Sequence, residues 1–171
     1  AYYFPTVERM SAIEVRKGSA SIKSGPRTTG GAVNLVSTVI PSASLSGRLS
    51  LIAGEDSTFN THGWVGGAGE QLAFIVETVQ QSSDGFKQID GGGDAGFDLQ
   101  DYLIKGRWNS APDARWYQEI EFKLGQTDQD SNETYLGLTD EDFSADPNRR
   151  YRASHLDNIQ SGHEQQQLSH Y

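Results

Sequence analysis

The sequence contains no cysteine, and it has no apolar run long enough to form a transmembrane helix. Without cysteine, disulfide bridges and thiolate metal sites are both excluded. A helical span needs about 20 consecutive apolar residues, so a helical membrane protein is excluded as well. The start of the chain lacks the basic and apolar regions of a secretory signal, so we expect any such signal to have been removed or to lie upstream of Ala1.

Basic residues are in the minority: 14 Lys and Arg stand against 23 Asp and Glu, which gives a formal net charge of −9. Binding to nucleic-acid phosphates needs a basic surface, so we expect no nucleic-acid partner. The charge is unevenly placed, because residues 1–41 carry five Lys and Arg against only Glu8 and Glu14. The composition changes at Pro41, and we place a domain boundary there, between residues 1–41 and residues 42–171.

The chain shows the alternation typical of β-strands. Its first 40 residues hold two short strand-like runs separated by a segment rich in glycine, serine and threonine. From Gly47 onward, side chains alternate in character with a period of two, which predicts a sheet with one apolar face. We find no stretch with helical periodicity. The clearest runs cover residues 101–108 and 115–124, weaker ones cover 47–54, 58–67 and 71–81, and another begins near Asn158.

The connections favour a membrane barrel over a soluble β-sandwich, which would alternate in the same way. If residues 47–54 run outward, the short turns near residues 67–70 and 109–113 lie on one side of the sheet. The longer stretches 82–97 and 127–157 then lie on the other side. Short turns on one side and long loops on the other are typical of outer-membrane barrels.

The positions of the tryptophans also favour a membrane barrel. The same threading places Trp64, Trp108 and Trp116 near strand ends at one level, where an interfacial aromatic girdle is expected. Each of them taken singly could equally be an ordinary residue of a sheet core. Three tryptophans at one level favour the girdle.

The first region carries a motif with a defined spacing. Residues 7–18 read VERMSAIEVRKG, residues 24–26 read SGP, and residues 30–36 read GGAVNLV. In composition and spacing this series resembles the end of the plug domain of TonB-dependent outer-membrane receptors. It departs from the family pattern at Ser19, where proline is usual, and at Ser24, where tyrosine is usual.

The segments 132–140 and 146–151 look most like the early barrel of ferric citrate receptors. The resemblance implies an all-β transmembrane barrel fragment, an antiparallel meander, preceded by the end of a small α+β plug domain. Residues 1–41 would be the C-terminal part of the plug, and residues 42–171 the first barrel strands with long extracellular loops. The TonB contact region and most of the barrel are missing from this chain, so we expect a fragment that is not functional alone.

The resemblance also implies a function. Such a receptor lies in the bacterial outer membrane, in contact with the lipid bilayer, and binds a ferric chelate, either a siderophore or ferric citrate. The TonB complex of the inner membrane would rearrange the plug to admit that ligand. A soluble secreted β-domain that binds carbohydrate or protein is the alternative, and further alternating strands in the flanking gene sequence would favour the receptor over it.

Several residues of the first region have expected structural roles. Gly30 and Gly31 precede a strand, which suits a positive φ or a close approach of another chain segment, with a plain turn as the alternative to ligand contact. We expect each basic residue here to be a solvated surface charge, with an ion pair to Glu119 or Glu121 near Lys105 as the alternative. The basic residues considered are Arg9, Arg16, Lys17 and Arg27, and the plug-motif residues are Arg9, Glu14, Gly18, Gly25, Gly30, Gly31 and Asn34.

Apolar side chains are assigned to two places. In the first region we expect Ile13, Val15, Val33 and Leu35 to form a small core. In the barrel region we expect the apolar side of the two clearest runs to face lipid. These lipid-facing candidates are Tyr102, Ile104, Trp108, Trp116, Ile120, Phe122 and Leu124.

The segment 127–157 is acidic apart from one basic cluster. Arg149, Arg150 and Arg152 are therefore the candidate ligand-binding residues, because a guanidinium group can donate paired hydrogen bonds to the carboxylates of an anionic chelate. The alternative is that these arginines pair with the acids between Asp140 and Asp146 and brace the loop.

No motif indicates an enzyme or a cofactor. Residues 91–96 match a GxGxxG spacing, but a strand rather than a helix follows them. Residues 163–167 begin a zinc-protease pattern and have glutamine where the second histidine belongs. Residues 128–139 resemble a calcium loop without its glycine and closing glutamate, so an EF-hand is excluded and a looser calcium site stays open. We expect no catalytic residues, no cofactor and no metal ligand set.

Overall fold

The structure, a computed structural model, describes residues 5–25 and 30–171. Pro26 of the family pattern and Arg27 of the basic set lie outside the described residues. Strands form most of the regular structure. They are β1 (Met10–Lys17), β2 (Gly31–Ser37), β3 (Ser46–Ala53), β4 (Phe59–Ala68), β5 (Leu72–Ser83), β6 (Gln88–Ile89), β7 (Phe97–Asn109), β8 (Glu119–Ser131), β9 (Arg149–Arg150) and β10 (Ile159–His170).

The central feature is a 6-stranded antiparallel sheet with the strand order β10-β8-β7-β5-β4-β3. Each long strand pairs with the next long strand along the chain, which is a meander. β1 and β2 form a separate antiparallel pair, and β6 and β9 form a short parallel one. The expectation of an antiparallel, predominantly β architecture is confirmed. The alternating runs located the long strands of the large sheet because the period of two is a local property of the chain, but they did not indicate β6, β9 or the extension of β8 to Ser131.

Helical segments among the described residues are short. Helix α1 (Asp140–Ala145) lies between β8 and β10, and the Thr139 hydroxyl caps it by accepting a 3.2 Å hydrogen bond from the Asp142 N–H. With only 6 residues, α1 is too short to show a helical period in the sequence. Among the described residues, no helix is long and apolar enough to cross a membrane. Turns of 3-10 helix cover Val7–Arg9, Gly18–Ser24 and Arg152–Leu156.

The two faces of the large sheet differ in character. Residues 6–9 and 37–38 contact one of them, which we call the covered face, and there Ile75, Val79 and Leu103 are at most 1% exposed. The alternate side chains of the same strands point to the other side, the open face. The open face is rich in large apolar side chains that are 38% to 67% exposed. They are Leu72, Phe74, Val76, Tyr102, Ile104, Trp108, Ile120, Phe122 and Leu124.

The tryptophans do not share one level or one face. Trp108 lies on the open face opposite Leu72, at the start of β5, whereas Trp64 pairs with Glu77 in the middle of β5 and shares its covered face. Trp116 precedes β8 and is 72% exposed. The expectation of three tryptophans in one girdle is therefore wrong, and so is the placement of Trp116 on a strand. β8 begins only where it can pair with the end of β7, so residues 110–118 form a turn.

The four side chains expected to form a small core in the first region are exposed or half-buried. Ile13, Val15 and Val33 are 57%, 60% and 65% exposed, and Leu35 is half-buried. The expectation that these side chains form a small core is wrong here. A 2-stranded pair cannot bury its own side chains, because burial needs a second packed layer.

Connections differ between the two ends of the large sheet. Residues 69–71 and 110–118 join strands at one end, and residues 54–58, 84–96 and 132–158 join them at the other. The two longest connections therefore share an end, as the alternation predicted. These two segments also pair with each other through β6 and β9.

Candidate functional site

Buried polar groups join the N-terminal segment to the covered face. Arg9 Nη1 lies 3.0 Å from Asp101 Oδ1, and the two side chains are 2% and 0% exposed. The other oxygen of Asp101 accepts hydrogen bonds from the hydroxyls of Thr6 at 2.6 Å and Thr127 at 3.0 Å. A buried carboxylate is tolerated when such contacts replace its contacts with water. This network connects the segment before β1 to the middle of β7 and β8.

A second buried acid, Glu77 of β5, lies under the end of β2. Its Oε1 accepts a 2.7 Å hydrogen bond from the Thr38 hydroxyl and lies 2.8 Å from His62 Nε2, while the Glu77 side chain is 0% exposed. The Lys105 ammonium donates to the backbone carbonyls of Thr38 at 2.5 Å and Ser37 at 3.4 Å. The residues before β1 and those at the end of β2, which lie at the same end of this pair, are therefore both bonded to the sheet.

The charged groups between the N-terminal segment and the sheet behave differently from apolar side chains when the two surfaces separate. Arg9, Glu77 and Asp101 are at most 2% exposed, so removing one partner of a pair would leave a buried charge. When the two surfaces separate completely, however, water can solvate all of these groups again. A polar interface of this kind is specific in its geometry and remains separable.

Ion pairing was only the alternative expectation for the basic residues of this segment, and its partner was not predicted correctly. Arg9 is buried and pairs with Asp101, so solvated surface charge is wrong for this residue, and the partner is neither Glu119 nor Glu121. A signal for the missed residues exists in the sequence. Glu77 lies between Ile75 and Val79 on the same side of an alternating run, and an acid among apolar neighbours on one face indicates a buried partner.

The motif glycines have different surroundings. Gly31 has a φ of 144°, and a Cβ there would lie 2.9 Å from the backbone oxygen of Arg16, so positive φ and close approach are confirmed at this position. Gly30 has open space around it, which fits the plain turn. Gly18 and Gly25 also have positive φ, 67° and 143°.

The remaining motif residues lie on an exposed side of the β1–β2 pair. Glu14 accepts a 3.2 Å hydrogen bond from Asn34 Nδ2 and lies 3.4 Å from Arg16 Nη2. The Arg16 and Glu14 side chains are 43% and 46% exposed, so solvent screens this pair. Of the described basic residues that we considered in the first region, Arg9 is the one in a buried ion pair with the large sheet.

Six of the seven lipid-facing candidates gather on the open face, and Trp116 lies outside it. Cross-strand pairs join Trp108 to Ile120 and Ile104 to Leu124. Between these pairs, the ring of Phe122 occupies the space where a Cβ of Gly106 would lie. The open face therefore presents a continuous apolar surface across β7 and β8.

Arg149 holds the two long connections together. Its Nε and Nη2 each lie 3.0 Å from an oxygen of Asp90, and its Nη1 lies 2.7 Å from Asp142. The hydroxyl of Tyr151 donates to Asp142, and the Arg149 guanidinium lies 5.2 Å from the Tyr151 ring. The bond from Tyr151, more than the Arg149 charge, lowers the pKa of Asp142. The bond to Asp90 raises the pKa of Arg149.

The three candidate arginines thus have different roles. Arg149 braces the loops, as the alternative explanation of this cluster expected. Arg150 is half-buried and lines a cavity of about 560 Å³ next to it. Arg152 is exposed and lies beside Gly91 instead. The structure brings Arg149 and Arg150 together at the cavity and leaves Arg152 outside it.

Within residues 5–25 and 30–171, no group of three His, Cys, Asp or Glu side chains could hold a metal ion. The chain matches no protein-family model, no curated protein and no solved structure. Its function is therefore inferred from the covered face, the open face and the two joined connections.

Proposed function

We propose that this chain is part of a TonB-dependent outer-membrane receptor that takes up a ferric chelate. Residues 1–41 would be the end of its plug, and residues 42–171 the first strands of its barrel wall. One observation carries the proposal: a single sheet has an exposed apolar face on one side, and on the other a polar face occupied by the N-terminal segment.

The open face suits lipid. In outer-membrane barrels, strands alternate between apolar side chains that face lipid and polar side chains that face the lumen. Exposing apolar surface to water costs roughly 25 cal/mol per Å², so a continuous surface of large apolar side chains requires a cover. A secreted soluble β-domain would bury this face against a second layer. The observation therefore favours the receptor over the soluble domain.

The covered face suits a plug. The motif that resembles the plug end lies in residues 7–36, and the polar side of the sheet is contacted by Arg9 within it and by Thr38 just after it. Because the contact includes an ion pair and hydrogen bonds, a pull by TonB would separate polar groups that water can solvate again.

The ligand is proposed to be an anionic ferric chelate, with ferric citrate as the leading candidate. The long connections lie at the end of the sheet that would face the outside, and they carry the basic cluster. Carboxylates of a citrate complex would complement guanidinium groups there.

Growth on defined iron sources tests the proposal. The gene that encodes this sequence is deleted from its host, and growth is measured with ferric citrate or single ferric siderophores as the only iron source. Loss of growth on one chelate, restored by the intact gene and not by a gene lacking the TonB contact region, is the expected result. Unchanged growth on every iron source, together with recovery of the protein in a soluble fraction, would overturn it.

A further inference from the structure

We infer that the cavity beside Arg150 binds a carboxylate group of the transported ligand, with the Nε and Nη2 edge of Arg150 as the recognition element and Lys87 as a second cation. The inference rests on the proposed function and narrows it. It assigns the ligand contact to one of the three candidate arginines and adds a residue that the sequence did not indicate.

Arg149, the neighbouring residue, shows how one edge of an arginine side chain binds a carboxylate in this protein. Arg149 presents its Nε and Nη2 edge to the carboxylate of Asp90, with both nitrogens at 3.0 Å from an oxygen. Arg150 has the same edge, but among the described residues its Nε and Nη2 are buried without a hydrogen-bond partner. Buried donors without an acceptor are costly, so this edge lacks a planar acceptor of the kind that Asp90 supplies to Arg149.

The cavity supplies the space. It measures about 560 Å³, and Arg150 and Lys87 line it together with the apolar side chains of Leu138 and Phe143. Glu133 and Asp140 also line it, but both are exposed, so solvent screens their repulsion of an anion. An apolar wall with a few placed polar groups is typical of small-molecule sites.

Arg150 and Lys87 each donate a hydrogen bond to a backbone carbonyl. The Nη1 of Arg150 donates to the carbonyl of Ala95 at 3.4 Å, a long and therefore weak hydrogen bond. Lys87 Nζ donates to the carbonyl of Pro147 at 2.6 Å, which neutralises none of its charge. Within the described part of the chain, neither cation forms a salt bridge of the kind that Arg149 makes, so both charges remain available to an anion.

Titration of the full chain in detergent with iron-free citrate tests the inference, with inorganic phosphate as the comparison anion. The Nε–H signal of Arg150 in a ¹⁵N spectrum, identified by its loss in Arg150→Lys, should shift and saturate. Arg150→Gln should weaken citrate binding by about tenfold or more, the effect of losing hydrogen bonds to a charged group. Arg150→Lys keeps the charge but loses the planar fork, and it should weaken binding comparably.

Arg152→Gln removes the same charge from an exposed position and is the matched control, with binding expected to stay unchanged. Equal loss in Arg150→Gln and Arg152→Gln, absence of saturable citrate binding, or equal saturation by phosphate would each overturn the inference. Outer-membrane localisation and growth on ferric chelates are measured separately. If the receptor supports growth on ferric citrate but Arg150→Gln does not weaken citrate binding, the cavity site is refuted and the proposed function stands. If the protein binds citrate but is not in the outer membrane, the proposed function is refuted and the cavity site stands.

Discussion

The buried pair between Arg9 and Asp101 is the strongest single contact between the N-terminal segment and the sheet. Asp101→Asn keeps the shape of the side chain but removes its charge, so the buried Arg9 guanidinium loses the carboxylate that lies 3.0 Å from its Nη1. We expect a loss of about 3 to 5 kcal/mol in the free energy of unfolding, measured by denaturant titration of the full chain.

Glu14→Gln is the matched control, because the Glu14 pair with Arg16 is exposed and should contribute about 0 to 1 kcal/mol. If Asp101→Asn and Glu14→Gln lower the free energy of unfolding by similar amounts, the prediction is contradicted, because burial of the Arg9–Asp101 pair would then add nothing to its stabilisation.

Neighbouring residues on β8 test which face contacts lipid. Ile120 belongs to the open face and is 38% exposed, whereas the adjacent Glu121 points to the covered face. In the full receptor, Ile120→Arg should destabilise by about 2 to 4 kcal/mol near the middle of the membrane and by less near its surface, while Glu121→Arg should be tolerated better. The measurement is the yield of heat-resistant folded barrel in outer-membrane fractions, and equal yields would contradict the assigned faces.

At the scale of elements, the two long connections form one unit. Backbone hydrogen bonds link Gln88 to Asn148 at 2.8 Å and Asp90 to Arg150 at 2.9 Å, and the Arg149 side chain adds the pair with Asp90. Asp90→Asn weakens that pair, so we expect faster proteolytic cleavage in both 84–96 and 132–158 at once. Asp98→Asn, an exposed change on β7, is the control. Faster cleavage in only one connection would mean that the two open independently.

The same unit should respond to acid. The hydrogen bond from Tyr151, followed by the charge of Arg149, holds the pKa of Asp142 below its ordinary value of 3.8. A carboxyl whose folded pKa is lowered contributes its stabilisation fully above the unfolded pKa and loses it as the pH falls through the folded pKa. We therefore expect the ring signals of Tyr151 in NMR spectra to stay constant from neutral pH to the ordinary value of 3.8 and to change below it. In Asp142→Asn this acid transition should be missing, and its persistence would assign it to another group.

At the scale of the whole molecule, the proposal requires the N-terminal segment to stay on the covered face in cells. Gln81 Nε2 lies 2.9 Å from Glu8 Oε1, so cysteines at positions 8 and 81 should be joined by a short bifunctional maleimide. Position 80 is the matched control, because its side chain points to the open face. Cross-linking at 8 and 81 but not at 8 and 80, measured by mobility on a gel, is the expected result. Equal cross-linking of both pairs, or of neither, would place the segment elsewhere.

The sequence by itself determined the strands and the side on which each residue of a strand lies. Alternation placed β7 and β8 closely enough to separate Ile120 from Glu121, because a period of two depends only on the extended backbone. It also determined which end of the sheet carries the long connections, since each strand of a meander reverses direction. The positive φ at Gly31 could also be predicted from the sequence, because glycine before a strand is a local signal.

Only the tertiary structure decided which residues meet across long distances in the chain. Arg9 pairs with Asp101, and Arg149 with Asp90, across gaps of 92 and 59 residues (101 − 9 and 149 − 90). No local period fixes such a partner, because any acid on the correct face is an equally good candidate until the strands are in register. The start of β8 after Trp116 was decided by its pairing with β7, and the exposure of Ile13 and Val33 by the lack of a second packed layer over β1 and β2. The position of a strand and the face on which each side chain lies follow from local backbone geometry. The ion-pair partner, the register of the strands and the burial of a side chain follow from packing, which involves the whole chain.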